Sequence, residues 1–337
     1  MITIKDIASE AGVSVSTVSR VINNRPDVSE VARNKVLEVA HKLNYIPNES
    51  ARDLAGTQSD SIGLIMRGIG NPFFSEMFGV IEQSMKKTKY SLAINQISST
   101  ANEIQAGAEL ARAKRLSGLI FMGGNFAYTP EMISVLDIPF VCCTYSNKFG
   151  DLSPEIFSSV SIDDEAEAYR AVNALIDYGH KDIAILLADT EDQSISELRY
   201  RGYCRALKER GIKINPNLIQ KTTNFNLAEA YQATIHLINK EQEFTAVFAI
   251  SDILAMAAIK ALHNSGYQVP GDVSVIGIDG LNISEFIIPT LTSLIQPKLE
   301  IGRRTVELLL DIIEQKSSNQ QIVLETELRL GESIRSI

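Results

Sequence analysis

Apolar residues in the first 45 positions recur at helical spacing. Ile4, Ile7, Ala8 and Ala11 fall at i, i+3, i+4 and i+7, and Thr3 followed by Asp6 has the form of a capping box. Gly12 tolerates the left-handed conformation that ends a helix, and Ser14 can cap a second one after only Gly12-Val13. Two short helices joined this tightly predict a helix-turn-helix. In the second, Ser14 to Asn23, the stripe Val18, Val21 and Ile22 faces inward, while Ser16, Arg20 and Asn23 share another, polar face. That face is either a solvated surface or one suited to base edges. Ser29 caps a third helix whose Ala32, Val36, Val39, Ala40 and Leu43 complete a three-helix head ending near Asn44-Tyr45.

After Pro47, the stretch Asn48 to Gly56 has room for only about two helical turns, and an isolated helix shorter than roughly 12 residues is marginal in water. Asn48 can cap it and Gly56 can end it. The expectation is a helix that forms only when something holds it, with a plain linker as the alternative.

From Ser61 onward the period changes. Short apolar runs (Ile62 to Met66, Ser91 to Ile97, Leu119 to Met122, Phe140 to Cys143, Ile183 to Ala188, Val247 to Ile250, Val273 to Ile278) alternate with helical patterns beginning near Pro72, Ala101, Asp164, Ser196, Asn226, Ser251 and Pro297. Such alternation predicts an α/β fold with parallel sheets, and two successive series predict two lobes. The expected division is a head at 1–46, a hinge at 47–57, one lobe at 58–160 with 290–320, and the other at 161–289 with 321–337. Ligands of open parallel sheets gather beyond the carboxyl ends of the strands, where Arg67, Thr144, Ser251-Asp252 and Asp279 lie.

Composition narrows the function. With 32 Lys and Arg against 41 Asp and Glu, the net charge is −9, but residues 1–56 hold seven of each sign, so the acidic excess lies beyond the head. A neutral head supports nucleic-acid binding only weakly. No apolar run approaches the length of about 20 that a membrane span needs, and the N-terminus carries no signal-like stretch, which suggests a cytoplasmic protein without membrane partners. Cys142, Cys143 and Cys204 have neither disulfide nor metal spacing, and His41, His180, His236 and His263 are scattered. The common motifs of hydrolases, zinc proteases and nucleotide enzymes are absent, so neither catalysis nor a cofactor or metal is expected.

Residues 2–25, ITIKDIASEAGVSVSTVSRVINNR, resemble the head of the lactose/galactose repressor (LacI/GalR) family through A-G-V-S-x-x-T-V-S-R-V-x-N. The resemblance implies a sequence-specific transcription repressor that binds double-stranded, pseudo-palindromic operator DNA as a homodimer under control of a sugar effector. Val15, Ser16 and Arg20 would then read base edges in the major groove, and Thr3, Ser14, Thr17, Ser19 and Asn23 would anchor phosphates. The pattern P-N-x-x-A-x-x-L-A-G resembles the family's hinge, where Leu54 would wedge into the minor groove, small Ala51 and Ala55 would let two hinges approach, and Asn48 would begin the helix.

The remainder resembles the periplasmic sugar-binding fold, through Asn71-Pro72-Phe73-Phe74, Arg199 three residues before Gly202, Gly277-Ile278-Asp279 and Leu291 to Pro297. By that likeness Arg199 and Asp279 would hydrogen-bond effector hydroxyls, Phe225 would stack on its apolar face and Phe73 would line the opposite wall; a structural ion pair is the alternative for Arg199 and Asp279. Thr144 stands where many members have aspartate, and Ser251 where asparagine is frequent before the aspartate matched by Asp252. Arg67 is either a surface arginine or a partner for an anionic or phosphorylated effector. A stand-alone sugar-binding protein, a Rossmann-like sugar enzyme and a catabolite-control regulator with a phosphoprotein partner are the rival readings. Nothing after Leu330 resembles tetramerising leucine heptads, which favours a dimer.

Overall fold

The computed structural model describes residues 2–22, 27–43, 45, 59–68, 71–124, 127–188, 194–240 and 242–337. Contacts divide the chain into two units, 1–57 and 58–337.

The first unit carries three helices, Ile4–Ala11, Val15–Ile22 and Glu30–Lys42. Each begins on a cap that the sequence supplies. The backbone N–H and the hydroxyl of Thr3 both donate to Asp6 Oδ2 at 2.8 Å, and these bonds hold the Asp6 carboxyl below its ordinary value. Gly12 ends the first helix at φ 62°, a left-handed conformation costly for residues with a Cβ. Ser14 Oγ accepts from Thr17 N at 3.1 Å to start the second helix, and Ser29 Oγ accepts from Ala32 N at 3.4 Å to start the third. Ile7, Ala8, Ala11, Val18, Val21, Val36 and Ala40 form the buried core that these helices share.

The second unit is built on two six-stranded sheets. The first contains β1 (Ser61–Arg67), β2 (Ser91–Ile97), β3 (Gly118–Met122), β4 (Phe140–Cys143), β5 (Ser158–Ser161) and β11 (Gln321–Val323), in the order β11-β5-β4-β3-β1-β2 and parallel throughout. The second contains β6 (Ile183–Ala188), β7 (Ile219–Thr222), β8 (Ala246–Ala249), β9 (Ser274–Asp279), β10 (Thr292–Ile295) and β12 (Glu327–Arg329), in the order β12-β10-β9-β8-β6-β7, with only β12 antiparallel. Strands β3, β4, β6 and β8 are buried along their whole length, as parallel strands covered on both faces must be.

The chain passes between the sheets three times, and two of these passages correct the expected division. Thr292–Ile295, expected with the first lobe, is bonded to β9 in the second, with Thr292 opposite Ile276. Gln321–Val323, expected with the second lobe, pairs with β5 in the first, with Gln321 opposite Ser159. Between them the helix Lys298–Ile313 packs Ile301, Val306, Leu308 and Leu309 into the first lobe beside Ile62 and Met77. Among the described residues no helix is long and apolar enough to cross a membrane.

Candidate functional site

In the head, the side chains expected to meet DNA cluster at the start of the second helix. Ser14, Val15, Ser16 and Arg20 are exposed, while Thr17 and Ser19 are half-buried. Ser14 Oγ lies 2.7 Å from Ser16 Oγ and 2.8 Å from Thr17 Oγ1, so these hydroxyls form one polar knot at the helix N-terminus. Arg20 reaches Asp27 at 3.4 Å, with both side chains more than half exposed. An exposed pair of this kind is worth at most about 1 kcal/mol and yields readily to a stronger acceptor. Asn23 and the hinge residues Asn48, Ala51, Leu54 and Ala55 lie outside the described residues.

In the second unit a cavity of about 780 Å³ opens between the lobes, beyond the carboxyl ends of the strands. Arg67, Phe74, Thr144 and Tyr145 line it from the first lobe, and Asn224 and Phe225 from the second. Arg67 ends β1, donates from Nε to the Ser99 carbonyl at 2.7 Å, and brings Nη1 to 3.7 Å from Glu103. Thr144 follows β4 at φ 75°, a conformation rare for a β-branched residue, and is almost buried. The half-buried Phe225 is held from both sides. Thr223 N and Oγ1 donate to Glu229 Oε2 at 2.7 and 2.6 Å, which holds the Glu229 carboxyl below its ordinary pKa, and Asn226 caps the helix Leu227–Asn239.

Phe73 is not on this wall. Asn71 caps the helix Pro72–Met85 by accepting from Phe73 N at 3.0 Å, and that phase turns Phe73 into the core beside Met77 and Ile81, leaving Phe74 on the cavity. Successive helical residues point about 100° apart, so neighbouring aromatics take different roles.

Ser251 and Asp252, also expected to touch the effector, are sealed inside the second lobe. Ser251 Oγ accepts from Leu254 N at 3.4 Å as a helix cap. Asp252 accepts from Ser293 Oγ at 2.5 Å and from Leu281 N at 2.8 Å, and burial pushes its carboxyl above its ordinary pKa. A Cβ on Gly277 would stand 2.5 Å from Asp252 Oδ1, so Gly277 is the residue that admits this carboxylate.

Arg199 and Asp279 come together buried in the second lobe and are not among the residues that line the cavity. Arg199 donates to Asp164 Oδ1 from Nε at 3.0 Å and from Nη2 at 2.8 Å, donates from Nη1 to the Ile250 carbonyl, and lies 3.6 Å from Asp279 Oδ1. Gly202 makes this possible: a Cβ there would stand 2.3 Å from the Glu165 carbonyl, so only glycine lets the helices Asp164–Asp177 and Ile195–Glu209 close on each other. Asp279 sits at φ 130°, accepts from Gln296 Nε2 at 2.9 Å through Oδ1, and has no hydrogen-bond partner on buried Oδ2. Burial pushes its carboxyl up to about 7 against the opposing pull of Arg199. Burial likewise raises Asp164. Asp164 and Tyr145 are site residues that sequence reasoning missed; Asp164 reads simply as a first-turn acid.

A helix-turn-helix head followed by a two-lobed binding unit with a cleft defines a ligand-responsive DNA-binding regulator. Residues 3–48 match the bacterial regulatory proteins of the lacI family, and residues 138–334 the periplasmic binding protein-like domain. Over 327 residues the chain is 39% identical to the HTH-type transcriptional regulator MalR of Clostridium butyricum, covering 96% of this chain and 97% of the relative. It is 33% identical over 338 residues to the ribose operon repressor of Haemophilus influenzae, covering both chains in full. The solved Lac repressor dimer bound to operator and the anti-inducer ONPF matches with a TM-score of 0.84 at 26% identity over 99% of each chain. The chain belongs to the lacI family and is a DNA-binding transcriptional regulator.

Proposed function

We propose that this protein is a cytoplasmic, homodimeric repressor of carbohydrate-utilisation genes, catalysing no reaction, whose grip on a pseudo-palindromic operator is set by a small carbohydrate in the cleft. The cleft carries this reading. Its volume falls within the range of about 300–1,000 Å³ of small-molecule sites. Phe225 offers a face for the apolar side of a sugar ring, and Arg67, Thr144 and Asn224 offer partners for hydroxyls. Asp279, buried in the second lobe, keeps one carboxyl oxygen without a hydrogen-bond partner, the kind of group for which a polar ligand is a fitting partner.

Homodimerisation is supported by Ile283, Phe286 and Ile288, whose side chains stand 55%, 85% and 94% exposed along one short segment of the second lobe. Control works by linkage: a ligand that binds one lobe arrangement better than another shifts the population toward it, and DNA affinity follows. Selection of bound duplexes from a random pool, with and without a panel of saccharides, tests the proposal. Enrichment of one inverted repeat, responsive to at least one saccharide, is the expected result. Failure to enrich any inverted repeat under every condition contradicts it.

A further inference from the structure

The sequence leaves Arg67 open between a surface arginine and a partner for an anionic effector, and its surroundings oppose the anionic reading. We propose that Glu103 makes the cleft selective for uncharged polyhydroxylated effectors over their phosphate esters, by matching the charge of Arg67 from behind the wall. This rests on the reading of the cleft as an effector site.

The acid is built into the lobe. Glu103, at the start of the helix Glu103–Lys114, is 3% exposed, accepts from Tyr128 Oη at 2.5 Å, and lies 3.7 Å from Arg67 Nη1. The phenols of Tyr128 and Tyr145 lie 2.8 Å apart, and burial pushes both far above their ordinary value, so they stay protonated around the carboxylate. Arg67 spends Nε on the Ser99 carbonyl. Its guanidinium is therefore a fixed fork of donors whose charge is already matched, which suits hydroxyl oxygens.

Two further observations agree. Four helix N-termini border the cavity, and such ends attract anions when their N–H groups are bare. Here each has a cap: Asn71 takes Phe73 N, Asn226 takes Ala228 N and Glu229 N, Ser194 takes Ser196 N, and Ser251 takes Leu254 N. In the second lobe, Arg199 faces two carboxylates, Asp164 and Asp279. A phosphate entering the site would thus find no unmatched cation among the described lining residues.

The test is calorimetric titration of the full-length protein with neutral mono- and disaccharides, their phosphate esters and inorganic phosphate. The wild type is expected to bind at least one neutral saccharide and to bind its ester at least about tenfold more weakly. Glu103→Gln keeps an acceptor for Tyr128 and is expected to close that gap by about tenfold or more through tighter ester binding, with neutral affinity changed less than about threefold. Arg67→Met, made separately, should weaken the neutral ligand and leave the ester excluded. Preference of the wild type for an ester, or a Glu103→Gln protein that loses both ligands equally, overturns the proposal. Binding of no saccharide of either kind overturns the effector reading itself, and this inference with it.

Discussion

Arg199 sets both Nε and Nη2 on a single carboxylate oxygen of Asp164, 3.0 and 2.8 Å away, with neither side chain more than 2% exposed. An arginine held this way is a brace as well as a candidate ligand contact. Removing one partner of a buried pair strands the other in a medium that solvates it poorly, at a cost of about 3–5 kcal/mol. Arg199→Ala should therefore lower the urea midpoint of the second unit by that equivalent as well as weaken effector binding. A loss of effector affinity at unchanged stability would leave the brace without support.

Asp279 gives stability a pH dependence whose sign follows from burial. Its carboxyl is pushed up to about 7 in the folded protein, whereas an unfolded aspartate titrates near ~3.9. The folded state therefore holds a proton that the unfolded chain releases between these values. The resulting stability is fully present below the unfolded value and is lost as pH rises through about 7. Urea unfolding at pH 5 and 7.5 should show the wild type losing stability relative to Asp279→Asn across this window; parallel behaviour of the two proteins would refute the assignment.

Much of the architecture is legible in the sequence, because caps and periodicities are local. Thr3 with Asp6, Gly12, Ser14 and Ser29 mark the head helices by hydrogen bonds made within four residues. Apolar runs such as Gly118–Met122 mark the buried strands. What the sequence hides depends on packing at a distance. The three-residue strand Gln321–Val323 is too short to show a period, and only its pairing with Ser159–Ser161 assigns it to a lobe. Phe73 and Phe74 differ by one helical step, and Asp164 gains its role only because Gly202 brings Arg199 against it. Ser251 and Asp252 lie at a strand end where ligands gather, yet they serve a helix cap and a brace for Leu281 and Ser293.

The apolar segment around Phe286 and Ile288 predicts the assembly state. Both side chains are more than four-fifths exposed, so Ile288→Asp should leave the fold of the single chain within about 0.5 kcal/mol. Sedimentation at micromolar concentration should then show a monomer in place of a dimer, with operator binding weakened accordingly. A variant that remains dimeric would move the interface elsewhere.

Regulation by this protein requires coupling between the cleft and the operator. The direct measurement is operator affinity by fluorescence anisotropy, at a concentration of neutral saccharide that calorimetry shows to saturate the cleft. The dissociation constant should change by about 5- to 150-fold, the range of typical allosteric coupling, and Phe225→Ala should move the saccharide concentration required upward. An operator affinity identical in the empty and saturated protein would contradict the account.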